Sequence, residues 1–576
     1  MNQKLENILN VSLDATEDEL RKADSLSTGY NWRDNTWEII VKYSGSLESI
    51  RNRYNVYIKE LLNYYAIIVA DKATIELISQ EDVIDYVEKP KSLYYQIERT
   101  KTAACVGSVR ADGNILSGKG VIVGVIDTGI DIFDNAFRNS DGTTRILNIY
   151  DQTTGEKYDK QSIDEYIRLN EDLSGGTFSY DNAPGVDNIM HGTDVSYIAA
   201  GSLGVAYEAD IIAVKMGYSI NNQFPRTTSL MDAIDYIIRK AIEYRKPVAV
   251  NISYGCNYGA HNGNTLLESF IDDISKSYRC VICVGSGNEA DKAIHFGGII
   301  NTGQVQTAYL SVGEYQSAID IQIWKNYWDT IDVMLINPRG EQIGIITEGR
   351  INRYETYNTE IITLLGEPSP YNIYQEIYIN LIPKTDYILS GIWQIVLMAG
   401  SIRAGEYNIW LPSSQALGYA TAFNNPTADG TITIPATARN CIAVGAYNAY
   451  TNSYAAFSGR GFDNSIRNVN AGVKPDITAP GVDISIARQR GNDITYRNVT
   501  GTSYAVPVVT GAAALLMQWG IVMENDRFMY GEKLKAALID GSKPVGLVGI
   551  TRNDNQPDPR TGWGAVCLKN TLNKIL

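Results

Sequence analysis

Between residues 36 and 96, short apolar segments alternate with segments of helical character. The pattern predicts strands at 37–43, 54–58, 65–70 and 83–87, with a helix beginning near 46 and another at 72–78. Pro90 ends the last strand, and an extended tail follows through residue 96. Two β-α-β units in about sixty residues predict a small α+β domain of the split β-α-β type.

From residue 120 to 290 the apolar segments become longer and continuous. Residues 121–126 contain no polar side chain, as expected of a strand that is buried on both faces, and 209–214, 248–253 and 281–285 are similar. Between these strands a helix is predicted from apolar side chains at helical spacing, namely Leu230, Ile234, Ile237, Ile238, Ala241 and Ile242. The alternation predicts a parallel α/β sheet, whose ligand site lies beyond the carboxyl ends of its strands.

Helical periodicity then disappears between residues 300 and 420. Apolar and polar residues alternate there in several short runs, and Asn337-Pro338-Arg339-Gly340 is a strong turn signal. These features predict an all-β insert of roughly eight strands, either a sandwich or a jelly roll. The α/β pattern returns at 441–446, and a helix is expected to follow Ser503.

Composition limits the function without defining it. A chain of 576 residues, 44% hydrophobic and 20% charged, is expected to form more than one packed domain. Its net charge of −15 and the lack of a Lys/Arg run argue against nucleic acid as a partner. We see neither a secretory signal at residues 1–7 nor a membrane-spanning apolar run, so we expect synthesis in a bacterial cytoplasm. Cys280 and Cys283 have redox spacing but lie in an apolar run, which favours a buried strand.

Three distant segments carry the candidate chemistry. Asp127 lies in Asp-Thr-Gly after a predicted strand, His191 begins His-Gly-Thr, and Ser503 ends Gly-Thr-Ser. A serine hydroxyl is a poor nucleophile unless an imidazole accepts its proton, and that imidazole needs a carboxylate to fix its tautomer. The chain has only 3 histidines, and the other two, His261 and His295, match no motif. The segments therefore favour nucleophilic catalysis.

The order Asp, His, Ser resembles that of subtilisin-like serine proteases, over about 105–290 and 425–576. Asn-Ile-Ser-Tyr-Gly at 251–255, Gly-Ser-Gly-Asn at 285–288 and Lys-Pro-Asp-Ile-Thr-Ala-Pro-Gly at 474–481 support the resemblance. It implies that Ser503 is the nucleophile, His191 the general base, Asp127 the residue that orients it, and Asn288 the oxyanion-hole donor. The expected walls of the substrate cleft are Ser253, Tyr254, Gly255, Gly285, Ser286 and Gly287.

The chain departs from the family pattern at two positions. Family members commonly carry a second histidine where this chain has Asp194, and a methionine where it has Tyr504. Neither position is a member of the triad. No cofactor is implied, and although calcium is common in the family, no acidic loop here is specific enough to be assigned to a metal.

The N-terminal region resembles a subtilase prodomain, which acts as a folding template and inhibits through a tail laid in the cleft. The alternative is an ordinary N-terminal domain. We expect self-cleavage after Gln96. The predicted domains are a prodomain at 1–96, a subtilisin-like catalytic domain in two parts at 97–298 and 425–576, and a jelly-roll insert at 299–424.

Together these features resemble the clostridial Csp germination proteases. That resemblance implies a spore-associated serine endopeptidase that activates the precursor of a spore-cortex-lytic enzyme, with its own prodomain as a second partner. Two alternatives stay open. One is a weakly active, pseudoprotease-like germinant sensor or binding protein, and the other is a general intracellular subtilisin.

Overall fold

The computed structural model describes residues 2–92, 94–95, 116–173, 183–217, 224–346, 349–462, 473–490, 493–546 and 557–576. Residues 2–95 form an N-terminal domain. Its helices are α1 (Asn7–Asp14), α2 (Glu17–Lys22), α3 (Asp24–Ser27), α4 (Glu48–Tyr54) and α5 (Lys72–Ile78). Its strands are β1 (Tyr30–Asn31), β2 (Thr36–Tyr43), β3 (Tyr57–Glu60), β4 (Tyr65–Ala70), β5 (Ile84–Glu88) and β6 (Tyr94–Tyr95).

The central strands of this domain have the predicted split β-α-β arrangement. Strands β5, β2, β4 and β3 lie side by side in that order and pair antiparallel, with α4 and α5 as the crossovers. The predicted strand at 54–58 begins too early, because Asn55 ends α4 in a left-handed conformation (φ 49°). The sequence reading also missed α1 to α3, although Thr16 and Glu19 form a capping box at α2.

A parallel-sheet domain follows in two parts that flank the insert. The first part contains β7 (Ile122–Asp127), β8 (Ile146–Asp151), β9 (Glu156–Asp159), β10 (Asp210–Lys215), β11 (Val248–Ile252), β12 (Tyr254–Gly255) and β13 (Cys280–Gly285). Its helices are α6 (Lys160–Leu173), α7 (His191–Ala200), α8 (Thr227–Tyr244) and α9 (Leu266–Ser277). The predicted helical face in α8 is buried except at Ile242, which is exposed.

The insert is a β-sandwich. Its strands are β14 (His295–Ile299), β15 (Val305–Val312), β16 (Ile319–Asn326), β17 (Ile331–Ile336), β18 (Gln342–Ile345), β19 (Ile351–Glu355), β20 (Thr359–Leu365), β21 (Tyr374–Pro383), β22 (Gly391–Ala399), β23 (Glu406–Trp410) and β24 (Ala422–Phe423). They form a six-stranded and a five-stranded sheet over one shared core, which is more strands than the sequence predicted. Pairing of the sandwich begins at His295, and its jelly-roll connectivity stays a prediction.

The second part of the parallel-sheet domain contains β25 (Ile442–Asn448), β26 (Ser453–Tyr454), β27 (Ile477–Pro480), β28 (Ile484–Arg490) and β29 (Asp493–Val499). Its helices are α10 (Thr502–Met517), α11 (Gly531–Asp540) and α12 (Leu568–Ile575), and one π-helical turn, Gln518–Val522, extends α10. Strand β25 pairs in parallel with β13, so strands from both parts of the domain form one sheet. Its strand order is β26-β25-β13-β11-β7-β10-β8-β9.

Helix α10 forms the centre of this domain. Every residue from Thr502 to Met517 is buried, and the helix packs on α7 and on strands β11, β13 and β25. The segment Thr502–Val522 is apolar enough to cross a membrane, with a mean hydropathy of 1.7, but 94% of its most apolar window is buried inside the protein. Such burial is typical of a core helix.

Cys280 and Cys283 lie on β13, with thiols that are free and buried. Their place in the sheet agrees with the predicted buried strand. Burial raises the pKa of both thiols to about 12, so they stay protonated at neutral pH.

The two histidines that match no motif join the sandwich to the parallel-sheet domain. The ring of Trp410, at the end of β23, lies 4.1 Å from the ring of His261 and 4.9 Å from that of His295, and both pairs are stacked. The Trp410 indole donates to the Gly430 carbonyl at 2.9 Å. His261 and His295 are therefore packing residues at this junction.

The N-terminal domain shares its core with the sandwich. Its apolar cluster continues into side chains from β20 and β21, namely Ile362, Leu364, Tyr378 and Ile382. An ion cluster lies beside it, in which the buried Lys91 contacts the partly buried Glu6 at 2.7 Å and also pairs with the buried Glu88. Glu88 in turn accepts the backbone N–H of Leu266 at 2.7 Å, at the start of α9. These contacts attach the N-terminal domain to both other domains.

Replacing Lys91 by Met should destabilise this attachment by about 3–5 kcal/mol, because the buried carboxylate of Glu88 and the partly buried one of Glu6 lose their cation. Burial raises the pKa of Glu6 to about 7, so the loss should grow as the pH rises through 7 and Glu6 ionises. Thermal unfolding between pH 6 and 8 measures it. Lys72→Met, at an exposed position, is the matched control and should change stability by less than about 0.5 kcal/mol. Equal effects of the two variants would contradict the prediction.

Candidate active site

Asp127 is the last residue of β7 and lies at the carboxyl edge of the sheet, where the sequence predicted a ligand site. Its side chain is 1% exposed. Oδ1 accepts the backbone N–H of Thr128 at 2.8 Å and lies 2.6 Å from His191 Nδ1. This contact fixes the orientation of the imidazole and favours the tautomer that carries its proton on Nδ1.

His191 is the first residue of α7, and the helix begins very close to β7. A Cβ on Gly192 would lie 2.3 Å from the Gly129 carbonyl oxygen and 2.9 Å from Asp127 Cβ, so only glycine allows this approach. Gly192 N–H also donates to the Thr128 hydroxyl at 2.9 Å. The Gly after His191 is therefore needed to bring the imidazole to Asp127.

A further carboxylate, Asp187, joins the same two segments. Oδ1 accepts the Thr128 hydroxyl and the Met190 N–H, and Oδ2 accepts the N–H and hydroxyl of Thr193, all four at 2.8 Å. Asp187 is 3% exposed. The sequence reading missed it, because Asp187 lies three residues before the N-cap residue Met190 and its donors are brought together only by the folded turn.

Ser503 is the second residue of α10 and is fully buried. Since α10 packs on α7, Ser503 and His191 lie at adjoining helix starts. Pro507, four residues later, has no N–H to donate to the Ser503 carbonyl. The Ser253 hydroxyl donates to that carbonyl at 3.4 Å, and Asn251 Nδ2 donates to Ser253 at 3.0 Å. Ser253 therefore helps to hold the turn that carries Ser503.

Asn288 lies three residues after β13, with its amide held at one end. Its Oδ1 accepts the backbone N–H of Thr502 at 3.0 Å and the Thr502 hydroxyl at 3.1 Å. Because the Asn288 oxygen accepts from Thr502, the N–H₂ end of the amide points away from Thr502 and can donate to a substrate oxygen. This is the arrangement expected of an oxyanion-hole donor.

The predicted cleft walls surround these residues. Strand β12 pairs antiparallel with β6, with Tyr254 opposite Tyr95 and Gly255 opposite Tyr94. Gly285 ends β13, the Ser286 carbonyl accepts the Thr433 N–H at 3.0 Å, and Gly287 accepts the Gly459 N–H at 2.8 Å. The tail of the N-terminal domain thus lies along one wall as an added strand. Gln96, the predicted cleavage position, lies outside the described residues.

The electrostatics around His191 favour proton uptake. Burial lowers the pKa of the imidazole, but the carboxylates of Asp127, Asp187 and Asp194 raise it, and the net shift is upwards from 6.5. The centroid of the Tyr504 ring lies 5.3 Å from that of the His191 imidazole. No group of three or more His, Cys, Asp or Glu side chains within the described ranges is arranged to hold a metal ion.

The site agrees with what comparisons with known proteins find. The model of the subtilase family matches residues 118–368 and 404–564, and the model of the Csp protease B prodomain matches residues 3–91. The structure of the Clostridium perfringens CspB protease is similar with a TM-score of 0.74 and 34% identity, covering 82% of this chain and 96% of that one.

Curated relatives match over shorter segments. Subtilisin E of Bacillus subtilis is 38% identical over 121 residues, which is 20% of this chain and 28% of that protein. The subtilase-type proteinase RRT12 of Saccharomyces cerevisiae is 33% identical over 131 residues, 22% of this chain and 24% of that protein. The chain therefore spans about a quarter of the length of these relatives.

Replacing Asp187 by Asn should disorder the start of α7. Two of the four donors, one hydroxyl and one backbone N–H, would then face the amide N–H₂. The hydroxyl can turn to accept, but the backbone N–H loses its partner, which costs about 1–3 kcal/mol and displaces His191. We expect lower thermal stability and slower reaction of Ser503 with a fluorophosphonate. Asp141→Asn is the matched control, since that exposed carboxylate accepts only from Thr143. Unchanged labelling of Asp187→Asn would contradict the role given to Asp187.

The reactivity of Ser503 should depend on pH through His191. A general base must be neutral, and the pKa of His191 is raised from 6.5, so reactivity should fall as the pH drops and have its acidic midpoint above 6.5. The rate of fluorophosphonate labelling between pH 5 and 9 measures that midpoint. A midpoint below 6.5 would show that the carboxylates do not dominate over burial.

Proposed function

Because the chain belongs to the subtilase family of serine endopeptidases, we propose that it cleaves its own N-terminal domain and then a protein substrate by limited proteolysis. The observation that carries this proposal is the arrangement of Asp127, His191, Ser503 and Asn288 at one edge of the parallel sheet. The site therefore contains a side chain for each role in acyl transfer: the nucleophile, the general base, the carboxylate that orients the base, and the oxyanion donor.

In the proposed mechanism, Ser503 Oγ attacks the scissile carbonyl while His191 Nε2 accepts its proton. The carboxylate of Asp127 stabilises the imidazolium that forms. The negative charge on the carbonyl oxygen is held by Asn288 Nδ2 and the backbone N–H of Ser503. His191 then returns the proton to the leaving amine, and water hydrolyses the acyl-enzyme by the same steps in reverse.

Self-cleavage is supported by the strand that the tail adds to the cleft wall. Tyr95 immediately precedes Gln96 in the sequence, and it is opposite Tyr254, the residue after Ser253. Ser253 contacts the carbonyl of Ser503. The Lys91 carbonyl also accepts the Thr227 N–H at 2.6 Å, which fixes the tail before it enters the cleft.

For the later substrate, we propose the precursor of a spore-cortex-lytic enzyme, with the protease associated with the spore. Similarity to the CspB protease over 96% of that chain supports this choice, and so does the match to the Csp protease B prodomain. A cleft already lined by the enzyme's own tail favours narrow specificity over general digestion.

The decisive experiment compares the full chain with its Ser503→Ala variant. We expect a fluorophosphonate probe to label the wild type and not the variant. N-terminal sequencing should find a new start at residue 97 in the wild type and the original start in Ser503→Ala. Ser369→Ala, at a sandwich position away from the site, is the matched control and should behave as wild type.

Other outcomes would favour the alternatives. Folded wild-type protein that is neither labelled nor processed would contradict the protease and favour a germinant sensor or binding protein. Processed enzyme that digests casein broadly would favour a general intracellular subtilisin. Processing at another bond would contradict only the assignment of Gln96.

A further inference from the structure

The two departures from the family pattern lie in one buried cluster. Asp194 is in the first turn of α7, three residues after His191, and its side chain is 0% exposed. Tyr504 follows the nucleophile and is 1% exposed. Two arginines from the hairpin β28–β29, Arg488 and Arg497, complete a set that we call the Asp194 cluster. Burying a carboxylate together with two guanidinium groups carries a desolvation cost, so the contacts that compensate for it matter.

Arg488 holds the start of α7. Its Nε donates to Asp194 Oδ1 at 3.0 Å, and its Nη2 donates to the same carboxylate and, at 3.0 Å, to the carbonyl of Met190. Met190 precedes His191 and has a left-handed backbone, with φ +64°. One guanidinium therefore fixes both the residue before His191 and the residue three positions after it.

Arg497 connects the same carboxylate to the nucleophile's side of the site. It pairs with Asp194 Oδ2 and lies close enough to Tyr504 to interact with its side chain electrostatically. Its strand, β29, ends at Val499, four residues before Ser503. In the hairpin Arg497 is opposite Ile486, two positions from Arg488, so both guanidinium groups leave the same face.

We propose that the Asp194 cluster is a positioning device that locks the start of α7, with His191, to the strand and helix that carry Ser503. This inference rests on the proposed protease function. Asp194 provides both contacts at once, since Oδ1 accepts hydrogen bonds from Arg488 and Oδ2 forms an ion pair with Arg497. A histidine at this position could not make a bidentate link of this kind.

The cluster also balances charge at the imidazole. His191 faces three carboxylates, one from β7, one from the preceding loop and one from its own helix, and the aromatic ring of α10. These groups are Asp127, Asp187, Asp194 and Tyr504. Of these three carboxylates, Asp194 is the one that pairs with arginines among the described residues. Changing the arginines or Asp194 should therefore shift the proton affinity of His191 in opposite directions.

Three variants of the full chain test the proposal: Asp194→Asn, Arg497→Gln and Arg497→Lys. The readouts are the maximal rate and the half-saturating concentration of fluorophosphonate labelling, each measured from pH 5 to 9. Arg497 is the safer position, because its side chain is 40% exposed and its replacement should still allow folding. Thermal unfolding checks that each variant is folded.

Asp194→Asn should lower the maximal labelling rate about tenfold or more at unchanged half-saturation, since small misplacement of a catalytic group is costly. It removes a negative charge, so the acidic midpoint should move to lower pH. Arg497→Gln should also slow labelling but move the midpoint to higher pH, by about half a pH unit. Arg497→Lys should restore the midpoint, because the charge returns.

Arg239→Gln is the matched control. Arg239 also bonds a buried carboxylate, that of Asp235, from a half-exposed position, but on α8. It should leave both the labelling rate and the midpoint unchanged. Shifts in the same direction for Asp194→Asn and Arg497→Gln, or no shift in folded variants, would overturn the proposal while leaving the protease intact. A wild type that is not labelled would instead remove the proposed function and this inference with it.

Discussion

The burial of α10 is the constraint on which the rest of the structure depends. Its sixteen residues, Thr502–Met517, are all buried, so the helix is held in one position between α7 and the sheet. That position brings Ser503 to the carboxyl edge, where β7 ends at Asp127. Because protein interiors are closely packed, a change in the volume of a side chain on α10 would displace Ser503.

Local patterns in the sequence predicted the central strands of each domain, but they missed α1 to α3 and some strands of the sandwich. Continuous apolar runs predicted β7, β11 and β13. The motifs of Asp127, His191 and Ser503 each contain a glycine, and at Gly192 the structure shows the close backbone contact that only glycine allows. Asp187 was missed because its importance comes from four donors that only the folded turn assembles. The pairing of Asp194 with Arg488 and Arg497 was equally hidden, since it joins residues about three hundred positions apart.

The three domains are held together by different physical means. The sandwich and the parallel-sheet domain meet at a stacked pair of histidines around Trp410, whereas the N-terminal domain shares apolar core with β20 and β21. The Glu88 carboxylate, which pairs with Lys91 inside the N-terminal domain, also accepts the Leu266 N–H of the parallel-sheet domain. The N-terminal domain is therefore a packing partner of both other domains, and cleavage of its tail would leave those contacts in place.

Ser503 lies about 400 residues after the N-terminal tail, and this separation has a consequence for synthesis. A ribosome adds about 5–20 residues per second, so about 20–80 s pass between the end of the N-terminal tail and Ser503. During that interval the N-terminal domain can fold while no nucleophile exists. The order of segments along the chain therefore gives the N-terminal domain time to fold before Ser503 is synthesised.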